Sequence, residues 1–85
     1  ETAYTILNGE YEVIEAEIIE TSELINKNFK DSNLPDEIRI GAILRNGKII
    51  IPRSDFTFQK KDTVVFLAKK DAISIVENLF RISSI

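Results

Sequence analysis

The sequence predicts a small α+β domain: a mainly antiparallel sheet with an Asn-Gly hairpin and two short helices. Three observations lead there. Ile38 to Pro52 holds two β-branched runs joined by Asn46-Gly47, a pair suited to the two φ > 0 positions of a type I′ hairpin turn. Thr63 to Ala68 is a β-prone apolar run that fits a central strand. Ala72, Ile73, Val76, Leu79 and Phe80 recur at helical spacing.

Taken in chain order, residues 1–11 read as a lead-in without clear periodicity, and residues 12–85 as the domain itself. Glu12 to Glu20 reads as a strand, with Ile14, Ala16 and Ile18 on one side and Glu15 and Glu17 on the other. Thr21 or Ser22 can cap a following helix, since either hydroxyl oxygen can accept a free first-turn N–H. That helix would carry Leu24, Ile25 and Phe29 and stop by Leu34, because Pro35 disfavours a helical residue before it. In the hairpin, the turn sets Arg45 opposite Lys48, Leu44 opposite Ile49, Ile43 opposite Ile50 and Ala42 opposite Ile51. Strict alternation then sorts Ile38, Ile40, Ala42, Leu44, Ile49 and Ile51 onto one apolar face, assigned to the core. The other face shows Arg39, Gly41, Ile43, Arg45, Lys48 and Ile50, an isoleucine pair framed by cations. Pro52 ends the second arm by removing a ladder donor. Arg53 to Phe58 is a connection, and Gln59-Lys60-Lys61-Asp62 is a polar turn before the central strand. Asp71 is placed as the cap of the last helix, with Glu77 and Asn78 facing out.

Composition narrows the function classes. A chain of 85 residues makes one small domain with little stability to spare. It has no cysteine and no histidine, which excludes a disulfide framework and an ordinary zinc site and removes the commonest general base. The net charge of −3 argues against a nucleic-acid partner, which calls for clustered Lys and Arg. No apolar run approaches the roughly 18 residues of a spanning helix. No signal peptide is read at the start, and the absence of cysteine fits a cytosolic setting. Methionine is absent even at position 1, so the polypeptide reads as part of a longer protein.

Sites for chemistry are sparse, and the expectation is a protein that is not an enzyme. Gly9, Gly41 and Gly47 are too scattered for a G-x-G-x-x-G or a P-loop. Gly41, inside a strand, reads either as close packing by a neighbour or as room for a ligand or partner backbone. Glu15 and Glu17 could chelate a divalent cation, but a solvated strand face accounts for them as well. Lys60-Lys61 and Lys69-Lys70 read as solvated turn residues, and Ser83 and Ser84 as a tail. The best functional lead is the mixed hairpin face: Arg39, Gly41, Ile43, Arg45 and Ile50, with Arg53 just beyond. It could pack within the domain, form a dimer seam, or line a ligand cleft in which arginines meet carboxylate or phosphate.

The same residues resemble the TrkA C-terminal domain family, also called the RCK C-terminal domain. The resemblance rests on Ser22, on Leu34-Pro35, on the run Ile40-Gly41-Ala42-Ile43-Leu44-Arg45-Asn46-Gly47-Lys48-Ile49-Ile50-Ile51-Pro52, and on Lys61-Asp62-Thr63-Val64-Val65-Phe66-Leu67. Val76-Glu77-Asn78-Leu79-Phe80 is similar to the end of the family's bacterial members. Two departures stand out. Lys61 replaces the glycine usual before the aspartate, and Asn26-Lys27-Asn28 stands where a glycine follows the first-helix leucine. The resemblance implies a regulatory, dimerising module of a cytoplasmic potassium-uptake subunit that gates a membrane potassium transporter from the inner face of the membrane. It implies no cofactor in this chain, with NAD or ATP held in Rossmann-like domains elsewhere in the parent. The alternative it carries is a sensor domain of another transporter or antiporter, with a cyclic dinucleotide or other anion at the dimer interface.

Overall fold

Five β-strands, with burial alternating most clearly along the second and the last, build one antiparallel sheet in the computed structural model, which describes residues 2–80 (side chains from residue 5 on). The strands are β1 (Thr2–Ile6), β2 (Tyr11–Glu17), β3 (Ile38–Arg45), β4 (Lys48–Ile50) and β5 (Thr63–Lys69), followed by one helix, α1 (Ile73–Phe80). Their order across the sheet is β1-β2-β5-β3-β4. The apolar run Thr63 to Lys69 is thus the middle strand, with neighbours on both edges. One face of the sheet holds the core: Ile14 and Ala16 from β2, Val64, Phe66 and Ala68 from β5, Ile38 and Ile43 from β3. Helix α1 closes it with Val76 and Phe80, whose ring stacks on Phe66 at 4.8 Å, while Glu77 and Asn78 face solvent.

Four sequence expectations change. The lead-in contains an edge strand: Thr2 to Ile6 pairs with Tyr11 to Glu15 across a turn with positive φ at Leu7, Asn8 and Gly9. Backbone pairing asks for no side-chain periodicity, so this strand left little trace in the sequence. Ser83 and Ser84 lie outside the described residues.

No first helix forms between Thr21 and Leu34; one turn of 3-10 helix at Phe29–Asp31 is all the helical structure there. The segment instead runs beside residues 54–58, where Asn26 N–H donates to the Phe58 carbonyl, Phe58 N–H to Lys27, and Phe29 N–H to Phe56. Asn26 takes φ 65°, a left-handed conformation that asparagine tolerates and that breaks a helix. Ser22, expected to cap the start of that helix, serves the end of α1. Its hydroxyl donates to the Leu79 carbonyl at 2.8 Å and accepts from Leu24 N–H at 3.2 Å. Last-turn helix carbonyls lack intrahelical donors, so this bond satisfies one of them.

Asp71 does not cap α1. It lies within a 3-10 turn, Lys70–Ala72, whose entry has no side-chain cap.

The largest change is in β3. Ile40 pairs with Phe66 but Ala42 pairs with Val65, so Gly41 is an extra residue, a β-bulge. One added residue transfers every later side chain to the opposite face. The hairpin register is Ile43↔Ile50, Leu44↔Ile49 and Arg45↔Lys48 across Asn46 (φ 52°) and Gly47 (φ 77°). The two hairpin faces are therefore exchanged relative to strict alternation. Ile43 is 0% exposed, whereas Leu44 is 40%, Ile49 74% and Ile51 68% exposed.

Candidate interaction surface

The bulge divides the residues singled out from sequence between two faces. Ile43 lies in the core against Val64, and Ile50 packs half-buried beside it. Ile43 is therefore no surface contact. Arg39 and Gly41 are exposed on the outer face, and Arg53 is exposed beyond Pro52. Arg39 lies 3.8 Å from Asp36 with both side chains largely in solvent, a pairing that contributes little.

Arg45 points inward, with its side chain 24% exposed, and is held by three hydrogen bonds. Its Nε donates to Asp62 Oδ1 and its Nη2 to Asp62 Oδ2, both at 2.7 Å, and Nη2 also donates to the Thr57 carbonyl at 2.9 Å. The guanidinium carbon sits 4.9 Å from the Phe56 ring centroid. Asp62, 1% exposed, accepts a further bond from Gln59 N–H at 2.9 Å. A carboxylate this deep is tolerated because each oxygen meets a donor and the bidentate fork supplies the opposite charge. The hydrogen bond to Asp62 holds the Arg45 guanidinium above its ordinary value, against the lowering effect of partial burial. The backbone joins in: Ile18 N–H donates to the Asp62 carbonyl, and Lys61 N–H to the Ile18 carbonyl. Lys61 takes φ 73°, the conformation that glycine adopts without strain. The lysine thus holds a turn conformation that suits glycine better, at a steric cost.

This clamp fixes which way the hairpin faces. With Ile43 and Arg45 held inward, Leu44, Ile49 and Ile51 are presented to solvent at the sheet edge. Exposed apolar side chains clustered on one hairpin mark contact surfaces. Sequence reasoning missed both this trio and the partner of Arg45. A buried acid opening an apolar strand, with an arginine beside a hairpin turn, was the available signal.

The rest of the surface offers little chemistry. A cleft of about 330 Å³ is lined by Phe29, Lys30, Leu34, Pro35, Ile38 and Arg39, among others. Gly9, Gly41 and Gly47 are isolated from one another in the chain, so the residues present do not fit a dinucleotide phosphate loop. Among the described residues, no group of three or more carboxylates is placed to hold a metal ion. No helix among them is long and apolar enough to cross a membrane.

A one-sided five-stranded sheet with one helix and an apolar edge hairpin defines a small α+β domain. The TrkA-C domain family model matches residues 13–81. The chain is 42% identical over 80 residues to the Trk system potassium uptake protein TrkA of Azorhizobium caulinodans, covering 94% of this chain and 18% of that protein. It is 38% identical over 64 residues to a TrkA homolog of Archaeoglobus fulgidus, covering 75% of this chain and 15% of that one. A solved chain described as "Structure of RCK domain with cda" superposes with a TM-score of 0.65 at 18% identity, over 80% of this chain and 96% of the other. That likeness shows the fold. The chain belongs to the TrkA-C domain family and spans under a fifth of the length of these two curated relatives.

Proposed function

We propose that this chain is the regulatory, dimerising module of a potassium-uptake subunit. In that role it acts at the inner face of the cell membrane through a membrane potassium transporter and carries no catalysis of its own. NAD or ATP would be held by a separate nucleotide-binding domain of the longer protein. The observation that carries the reading is the solvent-exposed trio Leu44, Ile49 and Ile51, on a hairpin whose orientation is locked from behind by Arg45 and Asp62. A domain with this small a core gains stability by burying such a patch against a second copy.

Sedimentation velocity of the 85-residue chain tests it. A concentration-dependent dimer is expected, weakened by Ile49→Asp with an unchanged circular dichroism spectrum. A monomer at the highest attainable concentration would sink the dimer.

A second reading, a small-anion sensor, draws on the mixed cleft beside Lys30 and Arg39. Arg45 is already committed to Asp62, so Arg39 and Lys30 would meet a phosphate. Calorimetric titration with cyclic di-adenosine monophosphate decides it; absence of both heat and a thermal shift removes it.

A further inference from the structure

Strand β3 lies against β5 in two registers. Before the bulge, Ile38 pairs with Ala68, Arg39 with Leu67 and Ile40 with Phe66. After it, Ala42 pairs with Val65, Ile43 with Val64 and Leu44 with Thr63. Continued without the bulge, the first register would set Ala42 beside Val64, Ile43 beside Thr63 and Leu44 beside Asp62. A shift of one residue moves every later side chain to the other face. The exposed Leu44, Ile49 and Ile51 would then turn to the core side. The buried Ile43, the half-buried Ile50 and Arg45 would turn to solvent. Each arrangement buries a set of branched aliphatic side chains, so apolar burial alone does not choose between them.

Backbone geometry at the bulge does not choose either. Gly41 has no positive φ, and an added Cβ would meet only the Val65 carbonyl oxygen, at 3.7 Å. The hairpin is also free to reorient as a unit. Strand β4 is three residues long and pairs with β3 alone, at the edge of the sheet.

Charge separates the two registers. Only the bulged one brings Arg45 to Asp62, where Nε and Nη2 each donate to a carboxylate oxygen at 2.7 Å. It also brings the guanidinium to the Thr57 carbonyl and the Phe56 ring. The bulge-free register puts Leu44 in that place and leaves the buried Asp62 without a counter-charge. A buried carboxylate stripped of its partner is strongly disfavoured.

We propose that the Arg45–Asp62 pair is a register latch. Latched, β3 keeps its bulge and the edge of the sheet shows Leu44, Ile49 and Ile51. Released, β3 slips by one residue, the bulge closes, and the edge shows Ile43 and Ile50 beside Arg45. The domain thus holds two packings of one hairpin, and a single ion pair selects between the surfaces they present. The latch goes beyond the function proposed above and acts within one chain.

Cross-strand backbone NOEs of the 85-residue chain test it. Wild type is expected to show Ile43–Val64 and Leu44–Thr63 contacts, with the slipped set, Ala42–Val64 and Ile43–Thr63, below about 10% of their intensity. In Asp62→Ala the slipped set is expected to become the stronger of the two. Deleting Gly41 in that background removes the extra residue, and the Ile43–Val64 contacts are expected to return. A folded Asp62→Ala chain that keeps Ile43 on Val64 overturns the latch. Loss of both sets, with the β2–β5 contacts retained, means a frayed hairpin and overturns the second register. Slipped contacts that persist after the deletion overturn the part assigned to the bulge. If Asp62→Ala does not fold, Asp62→Asn carries the same test, since it leaves an oxygen for the Gln59 N–H.

Discussion

The two halves of β3, before and after Gly41, obey the same chemistry and reach opposite results. In the first half, Ile38 and Ile40 turn toward the core, as alternation from the strand start requires. In the second half, Ile43 and Arg45 turn inward while Leu44 faces out. A single unpaired residue separates them. Apolar character therefore says that a strand will bury a face, but not which face, once the pleat can be broken by one residue. The second half pays for its orientation with a buried carboxylate, and the clamp from Asp62 is what makes an inward arginine tolerable.

The sharpest way to break this comparison is to truncate neighbours on either side of the pleat. Ile43→Ala is expected to cost about 3–4 kcal/mol, as for other fully buried isoleucines, and Leu44→Ala less than about 1 kcal/mol. Urea denaturation of the two variants checks it, and equal losses would mean that the bulge is misplaced. Asp62→Asn comes next, with an expected loss of about 3 kcal/mol, because it leaves the Arg45 charge partly buried without its partner. Arg45 itself sets no pH dependence in the working range. Its folded-state value is raised, so its contribution is complete below the unfolded value and fades only as pH rises through the folded one, in strongly alkaline solution. Melts from pH 6 to 9 should therefore show no loss assignable to deprotonation of Arg45.

Lys61→Gly acts in the opposite direction. Relief of the φ 73° conformation is expected to add about 0.5–1 kcal/mol, read as a higher melting temperature. A lower melting temperature would show that Lys61 makes contacts that outweigh the strain. The smallest effect belongs to Gly41→Ala, expected within about 0.5 kcal/mol of wild type. The bulge arises from a residue count rather than from glycine's conformational freedom, and a large loss here would contradict that.

Much of the scaffold was legible in the residues. Asn46-Gly47 specified a two-residue turn and with it the pairing of residues 43–45 with 48–50. Thr63 to Ala68 announced a middle strand, and the spacing of Val76 and Phe80 announced the core side of α1. The illegible parts share a cause. Segment 26–30 carries helix-compatible residues but finds its hydrogen bonds on residues 54–58, and no local pattern encodes a partner thirty residues away. Ser22 looked like a cap because it is a serine before an apolar run, yet its acceptor is the Leu79 carbonyl, 57 residues on.

The surface residues illustrate the same limit. Arg39, Gly41, Ile43, Arg45, Ile50 and Arg53 formed a plausible face under strict alternation. The structure scatters them over the core, the clamp, the outer sheet and the exposed connection after Pro52.

The sequence by itself determined the class of fold, the hairpin turn with its register, the middle strand, the amphipathic side of α1 and membership in the TrkA-C domain family. These are set by short-range rules: side-chain period, turn conformations and the residues that obey them. Only the tertiary structure decided which side of the hairpin is buried, where Arg45 finds its counter-charge and which apolar residues are left in solvent. Those outcomes depend on how many residues of β3 lie against β5, a long-range count that is fixed only when the two strands pair.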